Sequence, residues 1–210
     1  MIFCRYIILL SIIGLGSLLS GCFGTSKPTR YYTLSPPENN RTEPLTGFKE
    51  MLVVGPLTIP EYLERRQIVT RSGQNGIVLA EFEQWSSSLD DELTRLLVAT
   101  ISGDLASGHV AVMSGKFSAI PATGKMYRIP VKIIRFHGYR GGTVVLNAFW
   151  GVVENKDGQD KYLLNQESTI TETTTGNSYE ALVAAMGRAA GKLSLEIASR
   201  FSAEIINNNP

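Results

Sequence analysis

Cys22 has the most specific chemistry in this sequence, because it ends a Leu-Ser-Gly-Cys run at residues 19–22. Lipoprotein signal peptidase recognises a Leu and two small residues before a cysteine whose thiol has accepted diacylglycerol. Residues 6–19 carry no charge, and such a run of about 14 residues is too short to span a bilayer but suits a signal peptide. We therefore predict a signal peptide over residues 1–21 and a lipid anchor on Cys22. A secretory signal with an incidental cysteine is the alternative.

Histidines and carboxylates, the other common carriers of chemistry, form no constellation in the sequence. His109 and His137 have no Asp, Glu or Cys at metal-ligand spacing, so we predict structural roles for both and no metal site. The acidic run at residues 90–92 suits the positive end of a helix dipole. No G-x-S-x-G, H-E-x-x-H, Walker or G-x-G-x-x-G motif occurs. We expect no catalytic residue and no cofactor beyond the covalent lipid, with a lipid-anchored periplasmic hydrolase as the alternative.

The charges of the chain are balanced. There are 20 Lys and Arg against 19 Asp and Glu, and Arg5 is the only one of them within the expected signal peptide. The mature chain therefore has a net charge near zero and no basic patch, which makes nucleic acid an unexpected partner. Cys4 leaves with the signal peptide and Cys22 is acylated, so the domain has no thiol for a disulfide.

Hydrophobic patterning predicts strands and two long helices after residue 50. The strands are expected at residues 51–59, 67–71, 77–81, 110–113, 125–139, 143–154 and 162–174. The first of these strands and the one at 110–113 are expected to pair in parallel, and the others antiparallel. The order predicts an α/β (α+β) fold, with a single mixed, mainly antiparallel sheet and two long helices packed on it. Gly55 and Pro56 predict a bulge or a free edge in the first strand.

The first helix is expected to begin at Leu89, after three serines, and to run for about 17 residues. Residues at helical spacing predict its buried face: Leu89, Leu93, Leu96, Leu97 and Thr100. Thr94 is expected on its surface, and Trp85 is expected to pack against the helix. Asn177 is predicted to begin the second helix, with Glu180 as its capping partner.

The chain is expected to divide into the signal peptide at 1–21, a lipidated flexible tether at 22–50 and one domain at 51–206. Two segments are candidate partner-binding sites. The first is the charged turn at 60–66, through Tyr62, Leu63, Arg65 and Arg66, although a solvated turn is the simpler interpretation. The second is the extended stretch at 31–34 with Tyr31 and Tyr32, because such a stretch can add to the sheet edge of a neighbouring subunit.

Several segments of the chain occur in a characteristic order. They are the Cys22 motif, YYTL at 31–34, VVGPLTIPEYL at 53–63, Trp85 and LDDEL at 89–93. Together they resemble one known family, the ABC-type transport auxiliary lipoproteins. One departure is Ser88, where relatives often have Pro; both residues suit the start of a helix.

The resemblance implies a role that composition does not reveal. Such lipoproteins work with MCE-domain proteins and ABC-type permeases that move lipids across the periplasm, they are not enzymes, and some form ring-shaped oligomers. The expected partners are thus an MCE protein, indirectly its permease, the membrane through the lipid, and further copies of the chain. Phe23 follows Cys22 in place of the Asp that retains many lipoproteins in the inner membrane, which favours the outer membrane, facing the periplasm. A structural lipoprotein of another envelope assembly is a further alternative.

Overall fold

The computed structural model describes residues 26–36, 48, 50–105, 110–115, 125–156 and 159–206. The expected signal peptide, Cys22 and His109 lie outside these residues. The described part contains eight strands and two helices. The strands are β1 Arg30–Tyr32, β2 Glu50–Thr58, β3 Gln67–Ser72, β4 Gly76–Trp85, β5 Val110–Ser114, β6 Lys125–Gly138, β7 Thr143–Lys156 and β8 Gln159–Thr173. The helices are α1 Leu89–Asp104 and α2 Tyr179–Phe201, which continues into a π-helical turn at Ser202–Ile206.

All eight strands belong to one mixed sheet on which both helices pack, as the sequence predicts. The strand order is β1-β4-β3-β6-β2-β5, and β7 and β8 continue from the other edge of β6. The β3–β4 hairpin and the β6–β7–β8 meander are antiparallel. The parallel pairing of β2 with β5 is confirmed.

The expectation that every other pair is antiparallel is wrong. Strand β2 also pairs in parallel with β6, β1 pairs in parallel with β4, and β3 meets β6 in parallel at Thr70 and Gly138. Residue patterns within a strand report which face is buried but not which strand lies alongside. These three pairings join strands distant in sequence, so no turn between them indicates their direction.

Strand β2 changes its register where Gly55 and Pro56 interrupt it, which confirms the predicted irregularity. Its pairing with β6 shifts between Val54 and Leu57, and its pairing with β5 ends at Val54. Gly55 has a φ of 124°, a region that favours glycine. Pro56, which lacks a backbone N–H, lies where β5 no longer needs a hydrogen-bond donor.

Helix α1 buries the face that its sequence predicts. All five residues of the expected stripe are buried, and Leu93, Leu96 and Leu97 are fully so. The surface assignment of Thr94 is wrong, because the residue is buried and its hydroxyl donates to the Asp90 carbonyl over 2.7 Å. A threonine can lie next to the apolar stripe because its hydroxyl donates a hydrogen bond to a backbone carbonyl of the same helix.

Helix α2 begins one residue later than predicted. Ser178 is the N-cap, and its hydroxyl accepts a hydrogen bond from the Ala181 backbone N–H over 3.1 Å. Asn177 therefore precedes the cap. An apolar stripe along the helix is buried in the same core as α1, through Leu182, Met186, Leu193, Ile197 and Phe201. Small residues such as Ala185, Ala189 and Ala190 allow close packing on the sheet.

The folded domain starts before the predicted boundary at residue 51. Strand β1 lies within the expected tether, yet it extends the sheet beside the end of β4. The Tyr32 hydroxyl donates to Glu83 over 2.6 Å, and the Arg30 guanidinium contacts the same carboxylate. Leu34, two residues further on, is fully buried in the core. Three residues of strand are too few to carry a periodic signal, so only the fold reveals this pairing.

Candidate partner-binding site

The turn between β2 and β3 is a short 3₁₀ helix at Glu61–Leu63. Pro60 precedes it in an extended conformation, and its carbonyl accepts from the Leu63 N–H over 2.8 Å. Leu63 points into the core and is 3% exposed, which fastens the turn to the domain. The Leu63 side chain therefore cannot make the contact with a partner on the surface that the sequence had suggested. Its charged neighbours stay in solvent, and the hydrophobic effect favours turning the apolar side chain between them into the core.

A cleft of about 500 Å³ separates this turn from the start of α1. Residues from three elements line it: Leu57, Thr58, Ile59, Glu64, Arg65, Arg66, Ser88, Leu89 and Asp90. Its walls thus combine an apolar floor with two arginines and two carboxylates. Such a mixture suits a peptide segment with side chains of both kinds better than a uniformly charged ligand.

The two arginines of the turn differ in their surroundings. Arg66 is exposed, while its backbone carbonyl accepts from the Trp85 N–H over 2.8 Å. Arg65 is partly buried, and its Nε atom has no hydrogen-bond partner among the residues that the structure describes. A buried guanidinium N–H without a partner is costly. Both arginines remain candidates for partner binding.

Tyr62 faces away from this cleft towards the sheet. Its hydroxyl lies 3.0 Å from Nδ1 of His137, and the two rings are tilted at 57°. Burial raises the pKa of Tyr62, while burial and the positive charges of Arg71 and Arg135 lower the pKa of His137 to about 4. His137 therefore has a defined partner in the fold, whereas Tyr62 is only partly available to another protein.

The two adjacent tyrosines of β1 point in opposite directions. Tyr31 is 61% exposed and remains a candidate for partner binding. Tyr32 is buried, and burial and the bond to Glu83 raise its pKa to about 12. The Tyr32 side chain is therefore directed into the domain and away from any partner on the surface, because alternate residues of a strand face opposite sides. The stretch already occupies a sheet edge of its own domain.

Trp85 is buried in the core that also contains α1. Within the described ranges, no group of three or more His, Cys, Asp and Glu residues could hold a metal ion. Those ranges also contain no helix that is both long and apolar enough to cross a membrane.

Glu92 is the organising residue that sequence reasoning missed. It is fully buried, and its carboxylate accepts from the hydroxyls of Ser86 and Ser87, over 2.9 and 2.6 Å, and from the Leu34 N–H. The sequence contained a signal for this role, because Glu92 follows Leu89 by three residues and therefore lies on the apolar face of the helix. A carboxylate in that position requires donors, and the preceding serines supply them.

Comparison with known proteins assigns the chain to a family. A model of the family described as ABC-type transport auxiliary lipoprotein component matches residues 32–198. The chain belongs to this family, which confirms the resemblance inferred from the sequence.

Particular relatives match over nearly the same length. The intermembrane transport lipoprotein PqiC of Escherichia coli K12 is 26% identical over 181 residues, covering 86% of this chain and 89% of the relative. PqiC of Shigella flexneri matches to the same extent. Two crystal structures share the fold. An uncharacterized protein has a TM-score of 0.65 at 23% identity, with 84% of this chain and all of that chain covered. A Xanthomonas campestris protein has a TM-score of 0.60 at 15% identity, with 81% and 93% covered.

Proposed function

We propose that this protein is a non-catalytic auxiliary component of an MCE and ABC-type system that moves lipids between the membranes of the envelope. The main support is the family match over residues 32–198, a range that includes every described strand and helix in part or in full. A relative named as an intermembrane transport lipoprotein is similar over 86% of the chain. In this role the protein docks or supports the periplasmic MCE protein and contacts the permease only indirectly.

The proposal includes attachment to the outer membrane through Cys22. Two or more acyl chains hold a protein stably on a bilayer, since each buried CH₂ contributes about 0.8 kcal/mol. Phe23, in place of Asp, favours export from the inner membrane. The domain then faces the periplasm on the side from which an MCE protein approaches.

The docking surface in this proposal is the cleft between the Glu61–Leu63 turn and the start of α1. Arg66 is exposed at its rim, and arginine is enriched among residues that dominate binding energies. Arg65 lines the cleft beside it. A segment of the MCE protein with a carboxylate and apolar side chains matches this surface. Tyr31, exposed on β1, is the second contact that we propose.

Co-purification with the cognate MCE protein tests this function. A chain that begins at Lys27 retains every described strand and helix, so it should be captured by the MCE protein of the same organism without the anchor. Arg66→Glu should weaken capture about tenfold or more, as expected for one arginine hot spot. Its melting temperature should be unchanged, because the Trp85 N–H bonds to the Arg66 backbone and not to its side chain.

Lys161→Glu is the matched control. Lys161 is exposed on β8, and this substitution also reverses a positive charge outside the cleft, so it should leave capture intact. Equal loss in the two variants would reject the cleft as the docking surface. If the wild-type chain shows no association by capture or by crosslinking in cells, the transport role should be replaced by a structural role in another envelope assembly.

A further inference from the structure

A second cavity, of about 410 Å³, lies where β3, β4 and β6 come together beside the turn that follows β2. Strand β3 meets β6 at Thr70 and Gly138. Arg71, the next residue of β3, and His137, the preceding residue of β6, therefore project together on the other face of the sheet from this pair. The 3₁₀ turn closes one side through Tyr62. Six residues line the cavity: Tyr62, Arg71, Ile77, Ile134, Arg135 and His137.

The cavity contains two positive charges and no negative one. Neither Arg71 nor Arg135 forms an ion pair with a carboxylate in the ranges that the structure describes. The Nη2 atom of Arg71 donates to the Gln74 carbonyl in the β3–β4 turn, which holds this guanidinium beside the turn of the hairpin. Two guanidiniums without carboxylate partners repel each other, and a bound anion would neutralise both.

The Tyr62 and His137 pair adds polar groups between these charges. His137 is neutral at pH 7, because burial and the two arginines lower its pKa to about 4. Its Nδ1 is occupied by the Tyr62 hydroxyl, so Nε2 is the ring nitrogen left for a ligand. A neutral imidazole can donate one N–H without a further positive charge.

We propose that this cavity binds the phosphate of a phosphate ester, and that its source is the headgroup of an anionic phospholipid. Guanidinium forks match phosphate oxygens in bidentate geometry, which makes arginine well suited to this ligand. The site is distinct from the cleft beside α1, although Tyr62 belongs to the same turn as Arg65 and Arg66.

Apolar groups around the cavity favour a lipid over a soluble ester. Ile77 and Ile134 line it and are 42% and 36% exposed, and Leu79, two residues after Ile77 and on the same face of β4, is 41% exposed. Exposed aliphatic side chains that cluster on one face mark an interaction surface more often than single ones do. They suit the boundary between headgroups and acyl chains of a bilayer.

The position of β1 brings this hairpin within reach of a membrane, provided that Cys22 is the anchor as proposed above. Strand β1 is parallel to β4, with Arg30 beside Glu83, so the chain enters β1 from the side of the β3–β4 turn. Eight peptide units join Cys22 to Arg30 and span at most about 29 Å. The run at Ile77–Leu79 lies four to six residues before Glu83 on β4, or about 13–20 Å along the strand.

Vesicle binding by the unlipidated chain tests the proposal without the anchor or the MCE protein. The probe is residues 22–210 with Cys22→Ser, mixed with vesicles of phosphatidylcholine alone or with phosphatidylglycerol, and separately with sn-glycerol 3-phosphate. We expect co-sedimentation with the phosphatidylglycerol vesicles only, and saturable binding of the soluble ester. Binding of the ester without binding of the vesicles would overturn the lipid source, and absence of both would overturn the site.

Variants then separate the cavity from diffuse electrostatic attraction. Arg71→Gln and Arg135→Gln should each weaken both kinds of binding about tenfold, the loss of one charged hydrogen bond. Arg71→Lys should recover only part of this, because lysine keeps the charge but not the fork. Lys132→Gln removes a charge from the same strand outside the cavity and should have less than about a threefold effect. An equal effect of Lys132→Gln would overturn the proposal.

The pKa of His137 provides a further test, because a folding defect would not raise this pKa on addition of the ester. A phosphate bound between Arg71 and Arg135 offsets their charges, so saturation with sn-glycerol 3-phosphate should raise the pKa of His137 above its free value of about 4. NMR titration of the His137 ring protons, assigned with His109→Gln, measures the change. An unchanged pKa at saturation would place the ester elsewhere and reject this cavity. Loss of MCE capture by Arg66→Glu with vesicle binding intact would separate the two sites.

Discussion

The backbone N–H of Leu34 donates a hydrogen bond to Oε2 of Glu92 over 2.9 Å, and both residues are fully buried. The bond joins the segment after β1 to the first turns of α1. Burial raises the pKa of Glu92, but hydrogen bonds from Ser87, Leu34 and Ser86 and the charge of Arg95 outweigh it and lower the pKa. A carboxylate kept charged in the core is therefore one of the points, besides the pairing of β1 with β4, at which the N-terminal segment is fixed to the domain.

Replacing this carboxylate should destabilise the domain strongly. Glu92→Ala leaves the Leu34 N–H without its partner, and each buried donor without a partner costs about 1–3 kcal/mol. Glu92→Gln should cost less, because one acceptor oxygen remains. Urea unfolding measures both, with Glu81→Gln on the exposed side of β4 as the control. Equal midpoints for Glu92→Ala and the control would show that the bond contributes nothing.

The buried stripe of α1 predicts a contrast between two leucines. Leu96 is fully buried, whereas Leu195 on α2 is 48% exposed. Leu96→Ala should lower the free energy of unfolding by about 2–5 kcal/mol, since it removes core contacts and leaves a cavity. Leu195→Ala should change it by about 0.5 kcal/mol or less. Because the substitution is identical, equal losses would mean that the stripe is not the packed face.

The sequence predicted the long elements because they repeat a pattern many times. Helix α1 has its leucines at helical spacing, β6 alternates along most of its length, and β7 is a long run of β-forming residues. The sequence did not predict the burial of Tyr32, because the three-residue strand that contains it pairs with β4 about fifty residues away. The burial of Thr94 was missed for a related reason. The spacing of the leucines shows where the centre of the buried stripe lies, but the width of the stripe depends on how closely the second helix and the sheet approach α1.

The second cavity was beyond sequence reasoning because its residues come from separate elements. Tyr62, Arg71 and His137 each occur in an ordinary context along the chain, and only the short contact of β3 with β6 brings them together. By contrast, the turn at residues 60–66 was recognisable from its charges and its proline. The exposure of Arg66 agrees with that pattern, whereas the burial of Leu63 could not be predicted, because the inward direction of one residue in a 3₁₀ turn depends on the core beneath.

The N-cap of α2 predicts a difference between adjacent residues. The Ser178 hydroxyl accepts from the Ala181 N–H, so Ser178→Ala should destabilise the protein by about 1 kcal/mol, the usual effect of removing a cap. Asn177→Ala should cost clearly less, because Asn177 lies before the cap. Thermal melts of the two variants give the comparison. A larger loss for Asn177→Ala would restore the sequence-based assignment.

His137 predicts a stability change in mildly acidic solution. Its pKa is lowered from 6.5 to about 4 by burial and by Arg71 and Arg135. Between these values the unfolded chain binds a proton that the folded chain does not, so the free energy of unfolding should fall as the pH falls from 6.5 towards 4. His137→Gln should reduce this fall. The carboxylates titrate alike in both proteins, so the difference between their urea midpoints at pH 7 and pH 5 isolates the histidine. A constant difference would contradict the assignment.

The anchor predicts opposite outcomes for the two cysteines of the chain. Cys22 follows Leu, Ser and Gly, whereas Cys4 lies within the expected signal peptide. Cys22→Ala should abolish incorporation of a clickable fatty acid and leave a precursor of higher mass. Cys4→Ala should be labelled and processed like the wild-type chain, because residue 4 is removed. Labelling of Cys22→Ala at the wild-type level would reject the lipid anchor. A single acyl chain holds a protein only marginally on a bilayer, whereas two or more hold it stably. The labelled wild-type chain should therefore also stay with membranes in high salt. Cys22→Ala should not undergo the same processing step.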